Sequence, residues 1–214
     1  ADREKILRYF RSGGDEELAA KLLDLAENVQ KSRKFKVSDF LDPHGLSMAE
    51  IVAANVGNIK IEVNGGFQNA ERAKTAFVSE DFYGKPDFAI KCFQVEWDKR
   101  YYDLSHRDIL GAFMALGCKR EILGDIIFIP EGAQFVADKA FEAYITSNLT
   151  QIGAAPISLK IIEQEELQQK EEQVKVISAT VSALRLDAVA AAGYGVSRSR
   201  MSDEIKNQNV KVNW

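Results

Sequence analysis

Residues 104–128 read LSHRDILGAFMALGCKREILGDIIF. Ser105 suits a helix N-cap, and Asp108 three residues on can stabilise the same end. Ile109, Leu110, Phe113 and Met114 recur at helical spacing as an inward face, and Gly117 closes the helix. From residue 125 the periodicity shortens to that of strands. Residues 125–129 and 133–137 read as two strands around a Pro130-Glu131-Gly132 turn. Working outward, residues 88–97 read as a strand before the helix. Asp138 then caps a further helix with Ala140, Phe141, Tyr144 and Ile145 inward, and residues 156–162 read as a last strand. The order strand, helix, strand, strand, helix, strand predicts a ferredoxin-like or RNA-recognition-like split unit. Such a unit has two helices on one face of a single sheet and leaves the other face free. A free face of this kind binds RNA in some families, although no RNP-type aromatic signature is present.

On the N-terminal side, Leu18, Leu22, Leu25 and Val29 form an amphipathic stripe within residues 15–34. Lys31, Arg33, Lys34 and Lys36 follow at its C-terminal end, where cations offset the helix dipole or could meet RNA. Pro43 and Gly45 mark a turn, with His44 between them carrying no clear signal. Ser47 to Glu50 then reads as a capping box for a helix to about Val56. This predicts a small helical unit over residues 1–57. Ile59, Ile61 and Val63 alternate as a strand before an Asn64-Gly65-Gly66 turn, and residues 73–78 fit strand or helix. Residues 58–163 are therefore assigned to the middle domain. The acidic run EQEELQQKEE, residues 163–172, reads as a solvated linker or exposed helix within a 164–180 connection.

The chain has 214 residues, ordinary hydrophobic content and no apolar run of bilayer-spanning length. The charged start ADREKILRYFRSGGDEE lacks a secretory h-region. Cys92 and Cys118 are isolated, form no CxxC pair, and read as reduced thiols of a cytoplasmic protein. Neither a metal nor another cofactor is expected. Net charge is −4, but residues 181–214 hold five Lys/Arg against three Asp/Glu, a local +2 that leaves −6 for the rest. An acidic body with a basic end suits local RNA contact rather than a wholly basic coat.

That end, residues 185–214, reads RLDAVAAAGYGVSRSRMSDEIKNQNVKVNW. Leu186, Val189, Ala190 and Ala192 lie at near-helical spacing, and Gly193 and Gly195 end the helix. Ser197 suits the N-cap of a second helix with Met201 and Ile205 inward. Val210 and Val212 alternate with Lys211 and Asn213 as a strand. Arg198 and Arg200 stand beside the helix N-terminus, whose free N–H groups make phosphate a natural ligand. The alternative is that SRSR only caps a solvated helix.

RLDAVAAAG, SRSR, the Ile205 helix and VKVN together resemble the alpha-L RNA-binding motif. That motif occurs in the small-subunit ribosomal protein S-four, tyrosyl-tRNA synthetases, many pseudouridine synthases and a ribosome-associated heat-shock protein. Met201 and Ser202 stand where the motif prefers alanines, Gln208 replaces a glycine, and Ala190 replaces a leucine. The resemblance implies RNA contact through Arg185, Ser197, Arg198, Arg200 and Lys211, with Lys206 and Asn213 extending the surface. Such domains continue past VKVN, whereas this chain stops at Trp214 and starts at Ala1 without methionine. A C-terminally incomplete alpha-L domain over residues 181–214 is therefore expected. Arg185-Leu186-Asp187 also resembles the catalytic RLD of pseudouridine synthases. Here it falls inside a helix, where Asp187 is expected to cap or pair with a nearby arginine.

Across the chain, FLDPHG at 40–45, GGFQNAER at 65–72, SHRDILG, LGCKRE and GDII, followed by the alpha-L segment, resemble the YlmH family of bacterial RNA-binding proteins. The resemblance implies binding to the large ribosomal subunit, to ribosomal RNA and tRNA. It further implies action on obstructed subunits carrying peptidyl-tRNA, in ribosome-associated quality control. An older association is with cell division. Arg107, Lys119 and Arg120 are candidates for a second RNA contact, with a solvated loop as the alternative for the last two. His106 beside Asp108 could suggest acid–base chemistry, but no second base, nucleophile or metal set lies near it in sequence. The fold class expected is α+β: a helical unit, a ferredoxin-like middle domain, a linker and a partial alpha-L domain. The function expected is a non-enzymatic RNA-binding factor without a small-molecule substrate or a membrane partner. The alternatives are a division-associated protein acting through protein partners and a pseudouridine-synthase-type enzyme.

Overall fold

The computed structural model describes residues 2–168 and 185–207. Contacts divide the chain into two units, 1–170 and 171–214.

The first unit begins with α1 (Arg3–Arg11), α2 (Glu16–Ser32), β1 (Phe35–Leu41), α3 (Pro43–Val56), β2 (Ile59–Asn64) and β3 (Ala73–Ser79). The three strands form an antiparallel sheet in the order β1-β3-β2. Leu22, Leu23 and Val29 of α2 and Met48 and Val52 of α3 share an apolar core with Phe77 of β3. Residues 1–57 are thus not purely helical, because residues 35–41 supply an edge strand. A bulge between Val37 and Phe40 breaks the alternation that would have revealed it. β3 is ambiguous in sequence because every residue in it is buried, so no polar face alternates with an apolar one.

α3 starts four residues before the expected capping box. Asp42 is its N-cap, taking the Gly45 N–H at 2.8 Å, and Pro43 opens the first turn, where a missing N–H costs nothing. Ser47 lies inside the helix, with its hydroxyl donating to the Pro43 carbonyl. Pro43 and Gly45 are therefore helix-start residues and not a turn. Gly45 is packed tightly there: a Cβ on it would stand 3.1 Å from Leu41 Cβ.

The chain continues through β4 (Ile90–Glu96), α4 (His106–Ala115), β5 (Leu123–Ile129), β6 (Gly132–Asp138), α5 (Glu142–Asn148), a small hairpin of β7 (Gln151–Ile152) and β8 (Ala155–Pro156), and β9 (Ser158–Ile162). β4, β5, β6 and β9 make a second antiparallel sheet in the order β5-β6-β4-β9. The described chain is a mixed α+β fold. Phe93 stacks on Phe135 at 5.0 Å, and Phe113 of α4 meets Phe135 edge-on. Ile109 and Ile145 complete this core from the two helices. Met114 and Tyr144, expected inward, are 42% and 45% exposed, because the apolar stripe on each helix is narrower than the run of apolar residues.

The second face of this sheet is not free. Phe40 and Phe67 pack with Cys92, Val136 and Ile162 into a separate apolar cluster, and Leu167 lies against it. The buried Gln134 amide donates to Gln94 Oε1 at 3.0 Å and to the Glu166 carbonyl at 3.2 Å, and its oxygen accepts from Gln168 N at 2.7 Å. Residues 163–168 thus lie on the sheet, and the acidic run is not solvated throughout. Leu167 is the anchor, an apolar residue inside a stretch that reads as charged. Burial pushes the Cys92 thiol up to about 11, as befits an inert core cysteine.

Two cations tie the sheets together. Lys74 of β3 is 3% exposed and pairs with Asp138 at the end of β6 at 2.9 Å. Its ammonium also donates to the Phe88 and Ala89 carbonyls. Arg72 donates to the carbonyls of Phe40, Arg120 and Leu123.

The second unit, taken by itself, contains α6 (Leu186–Tyr194) and α7 (Arg198–Lys206). α6 ends at Gly195 in the left-handed conformation (φ 65), while Gly193 stays helical. The helices pack on Ala188, Ala191 and Met201, whereas Leu186 and Val189 are 43% and 47% exposed. Small residues let the helices approach closely, so the larger apolar side chains are not the buried ones. The expected strand over 210–213 lies outside the described residues.

Candidate nucleic-acid interface

α7 owes its start to Ser197, whose extended backbone stops α6 and its turn from running on and whose hydroxyl accepts from Arg200 N at 3.3 Å. The backbone N–H groups of Arg198 and Ser199 precede the first intrahelical bonds, so this end presents donors with partial positive charge. Ser199 Oγ stands 3.2 Å from Ser197 Oγ.

Asp187, in the first turn of α6, organises the basic residues around that end. Its carboxylate accepts from Arg198 Nε at 2.9 Å and from Arg185 Nε at 3.1 Å. The Arg198 hydrogen bond is the larger cause, with Arg185 adding to it, that holds the Asp187 carboxyl below the usual range. Asp187 is therefore a doubly paired carboxylate inside a helix, as its position in α6 predicts. Arg198 keeps 46% of its side chain exposed and Arg185 keeps 70%, so both can also reach a ligand. Arg200 is exposed and has no ion pair among the described residues. Asp187 thus pairs with two of the three arginines, Arg185 and Arg198.

Arg185, Ser197, Arg198 and Arg200 thus come together. Lys206 does not join them: it lies in the last turn of α7, about 12 Å along the axis from Arg198. Lys211 and Asn213 lie outside the described residues.

The second group of candidates is dispersed. Arg107 stands exposed in the first turn of α4, and Lys119 stands exposed beyond the other end of a helix about 15 Å long. The α4 N-terminus is already closed by a capping box, Ser105 Oγ accepting from Asp108 N and the Asp108 carboxylate accepting from Ser105 N at 2.7 Å. Those hydrogen bonds hold the Asp108 carboxyl below its usual range. His106 is exposed in the same turn. Arg120 turns inward, donating to the Leu123 and Gly124 carbonyls, and burial lowers its guanidinium to about 10. It braces the junction of the sheets beside Arg72. His44 pairs with Asp15 at 2.8 Å, which raises the imidazole above its ordinary value. Arg33 is the left-handed C-cap of α2 (φ 53) and lies 3.8 Å from Asp81. Among the described residues no group of three or more His, Cys, Asp or Glu could hold a metal, and no helix is long and apolar enough to cross a membrane.

A two-sheet α+β body is followed in the chain by a helix pair with arginines at a capped N-terminus. Residues 84–166 match the family described as "Putative RNA-binding domain in YlmH", and residues 14–82 match "YlmH, N-terminal". The ribosome-associated protein quality control protein P2 of Bacillus subtilis is 32% identical over 212 residues, covering 98% of this chain and 81% of that protein. The solved structure of cell division protein ylmH from Streptococcus pneumoniae is similar with a TM-score of 0.61 at 25% identity, over 72% of this chain and 95% of that one. The chain belongs to the YlmH family.

Proposed function

We propose that the chain is a non-enzymatic RNA-binding factor of the bacterial cytoplasm that docks on the large ribosomal subunit. It contacts ribosomal RNA and tRNA, and it acts on obstructed subunits carrying peptidyl-tRNA, in ribosome-associated quality control. The observation that carries this reading is the Ser197-capped start of α7, with Arg198 and Arg200 beside it and Arg185 held nearby through Asp187. Guanidinium forks and free helix N–H groups are phosphate-binding chemistry. The name of the Bacillus subtilis relative supports the ribosomal setting.

In this reading residues 181–214 form the alpha-L domain and supply the main contact, and the β5-β6-β4-β9 sheet is a ferredoxin-like unit. RNA meets that unit somewhere other than the middle of its second face, which Phe40, Phe67 and Leu167 occupy. Asp187 serves the arginines, and this argues against pseudouridine-synthase chemistry there. The name of the Streptococcus pneumoniae structure favours a second reading, a division role through protein partners.

Binding of a large-subunit ribosomal RNA fragment, followed by fluorescence anisotropy across a salt series, tests the proposal. Phosphate neutralisation makes the logarithm of affinity fall with the logarithm of salt, by roughly 0.7–0.9 per contact. Arg198→Ala with Arg200→Ala should flatten that slope by about one to two contacts. An association insensitive to salt would contradict the mechanism.

A further inference from the structure

The loop that leaves β4 carries the sequence Trp97-Asp98-Lys99-Arg100-Tyr101-Tyr102, in which two adjacent cations stand between rings. None of these residues is among the arginines and lysines considered above. The loop is built rather than loose. Asp98 Oδ1 accepts from Arg100 N at 3.0 Å, and the Asp98 carbonyl accepts from the N–H groups of Tyr101 and Tyr102. Lys99 Nζ donates to the Ile129 carbonyl at 2.6 Å, which fastens the loop to the β5–β6 turn.

This arrangement holds three rings at one end of the second sheet. Trp97 meets Phe128 of β5 edge-on at 6.2 Å. Lys99 lies over the Trp97 ring, and Arg100 lies over the Tyr101 ring, each 5.5 Å from the centroid. Tyr101 is 76% exposed and Phe128 is 42% exposed. The buried Trp97 indole N–H has no acceptor among the described residues. The Arg100 guanidinium also pairs with Asp98 through two hydrogen bonds, at 3.0 and 2.7 Å, in an exposed pair of the kind that contributes little to stability.

We propose that this cluster is a stacking platform for unpaired bases of RNA. One face of Tyr101 is backed by Arg100, and its open face takes a base. Phe128 offers a second ring, and Lys99 and Arg100 meet the flanking phosphates. Exposed rings beside cations are the chemistry of sequence-tolerant single-strand binding; protein interfaces also favour Tyr, Phe and Arg, and the RNA-binding description of the family matched by residues 84–166 favours RNA as the occupant. The proposal rests on the RNA-binding reading and gives the 84–166 region its own contact, at the sheet end instead of the sheet face.

The test uses the whole chain and a fluorescein-labelled twelve-nucleotide oligouridine, with a duplex RNA of equal length for comparison. Tyr101→Ala should weaken oligouridine binding on the order of tenfold, the loss of one stacked base. Tyr101→Phe should retain binding, because the ring and not the hydroxyl does the stacking, and duplex binding should change little in both variants. Tyr101 lies in an exposed loop, so circular dichroism should show an unchanged fold. Oligouridine affinity unchanged in Tyr101→Ala, or absent in the parent chain, overturns the proposal. Reduced capture of a ribosomal protein with intact oligouridine binding also overturns it, by making the patch a protein surface. The large-subunit reading fails separately: a parent chain that binds oligouridine through Tyr101 but does not associate with large subunits refutes that reading and leaves this platform standing.

Discussion

Asp187 shows how one side chain can change the meaning of its neighbours. In sequence it follows Arg185 and Leu186 and resembles a catalytic aspartate. In the fold it accepts from Arg185 and Arg198 and becomes the clamp of a basic cluster. Its carboxyl is held low, so the clamp is present above the ordinary carboxylate range and is lost as pH falls through the depressed value. His44 gives the opposite sign. Asp15 raises its pKa, so this pair contributes at pH values below the ordinary histidine value and is lost as pH rises through the raised one. Proton NMR titration should find His44 above the ordinary histidine value, and Asp15→Asn should return it there. A normal value in the parent chain would mean that the pair between α2 and α3 does not persist in solution.

At the scale of elements, α7 couples stability to binding through a single cap. Ser197→Asp keeps a good N-cap and a favourable dipole charge, so the helix pair should melt within a few degrees of the parent. The added carboxylate should nevertheless lower affinity for a large-subunit RNA fragment by at least about tenfold, because it would repel the phosphate proposed to sit there. Equal RNA affinity would show that phosphate does not sit at this helix end. What was legible in the sequence follows the same physics. The helix caps Ser105 and Ser197 are readable because a hydroxyl followed by an apolar period is a local signal. β1 is not, because its bulge breaks the period, and α3 is read late because Asp42-Pro43 competes with the Ser47 capping box. The Arg185, Ser197, Arg198 and Arg200 cluster is legible because these residues lie close in sequence. The inward turn of Arg120 is not, since its acceptors belong to a sheet junction that no local pattern encodes.

For the first unit as a whole, the decisive feature is that two sheets share buried polar struts. Lys74 is enclosed, and its partners Asp138, Phe88 and Ala89 come from the other sheet and the segment leading into it. Lys74→Ala removes the ammonium that pairs with the largely enclosed Asp138 carboxylate and donates to the Phe88 and Ala89 carbonyls, and should cost about 3 kcal/mol in urea unfolding of the chain. A loss below about 1 kcal/mol would place the strut among ordinary surface pairs. Joined in this way, residues 2–168 hold the sheet-end loop in one fixed geometry. The second unit carries the basic cluster, and the two proposals together assign the chain two RNA contacts of different chemistry, one for phosphates and one for bases. The central claim is that the α7 cluster is what binds the ribosome, and sucrose-gradient sedimentation of lysate tests it most directly. The parent chain should co-migrate with large subunits, and the Arg198→Ala/Arg200→Ala chain should remain at the top. Parent and variant both at the top, or both with the large subunit, would contradict the account.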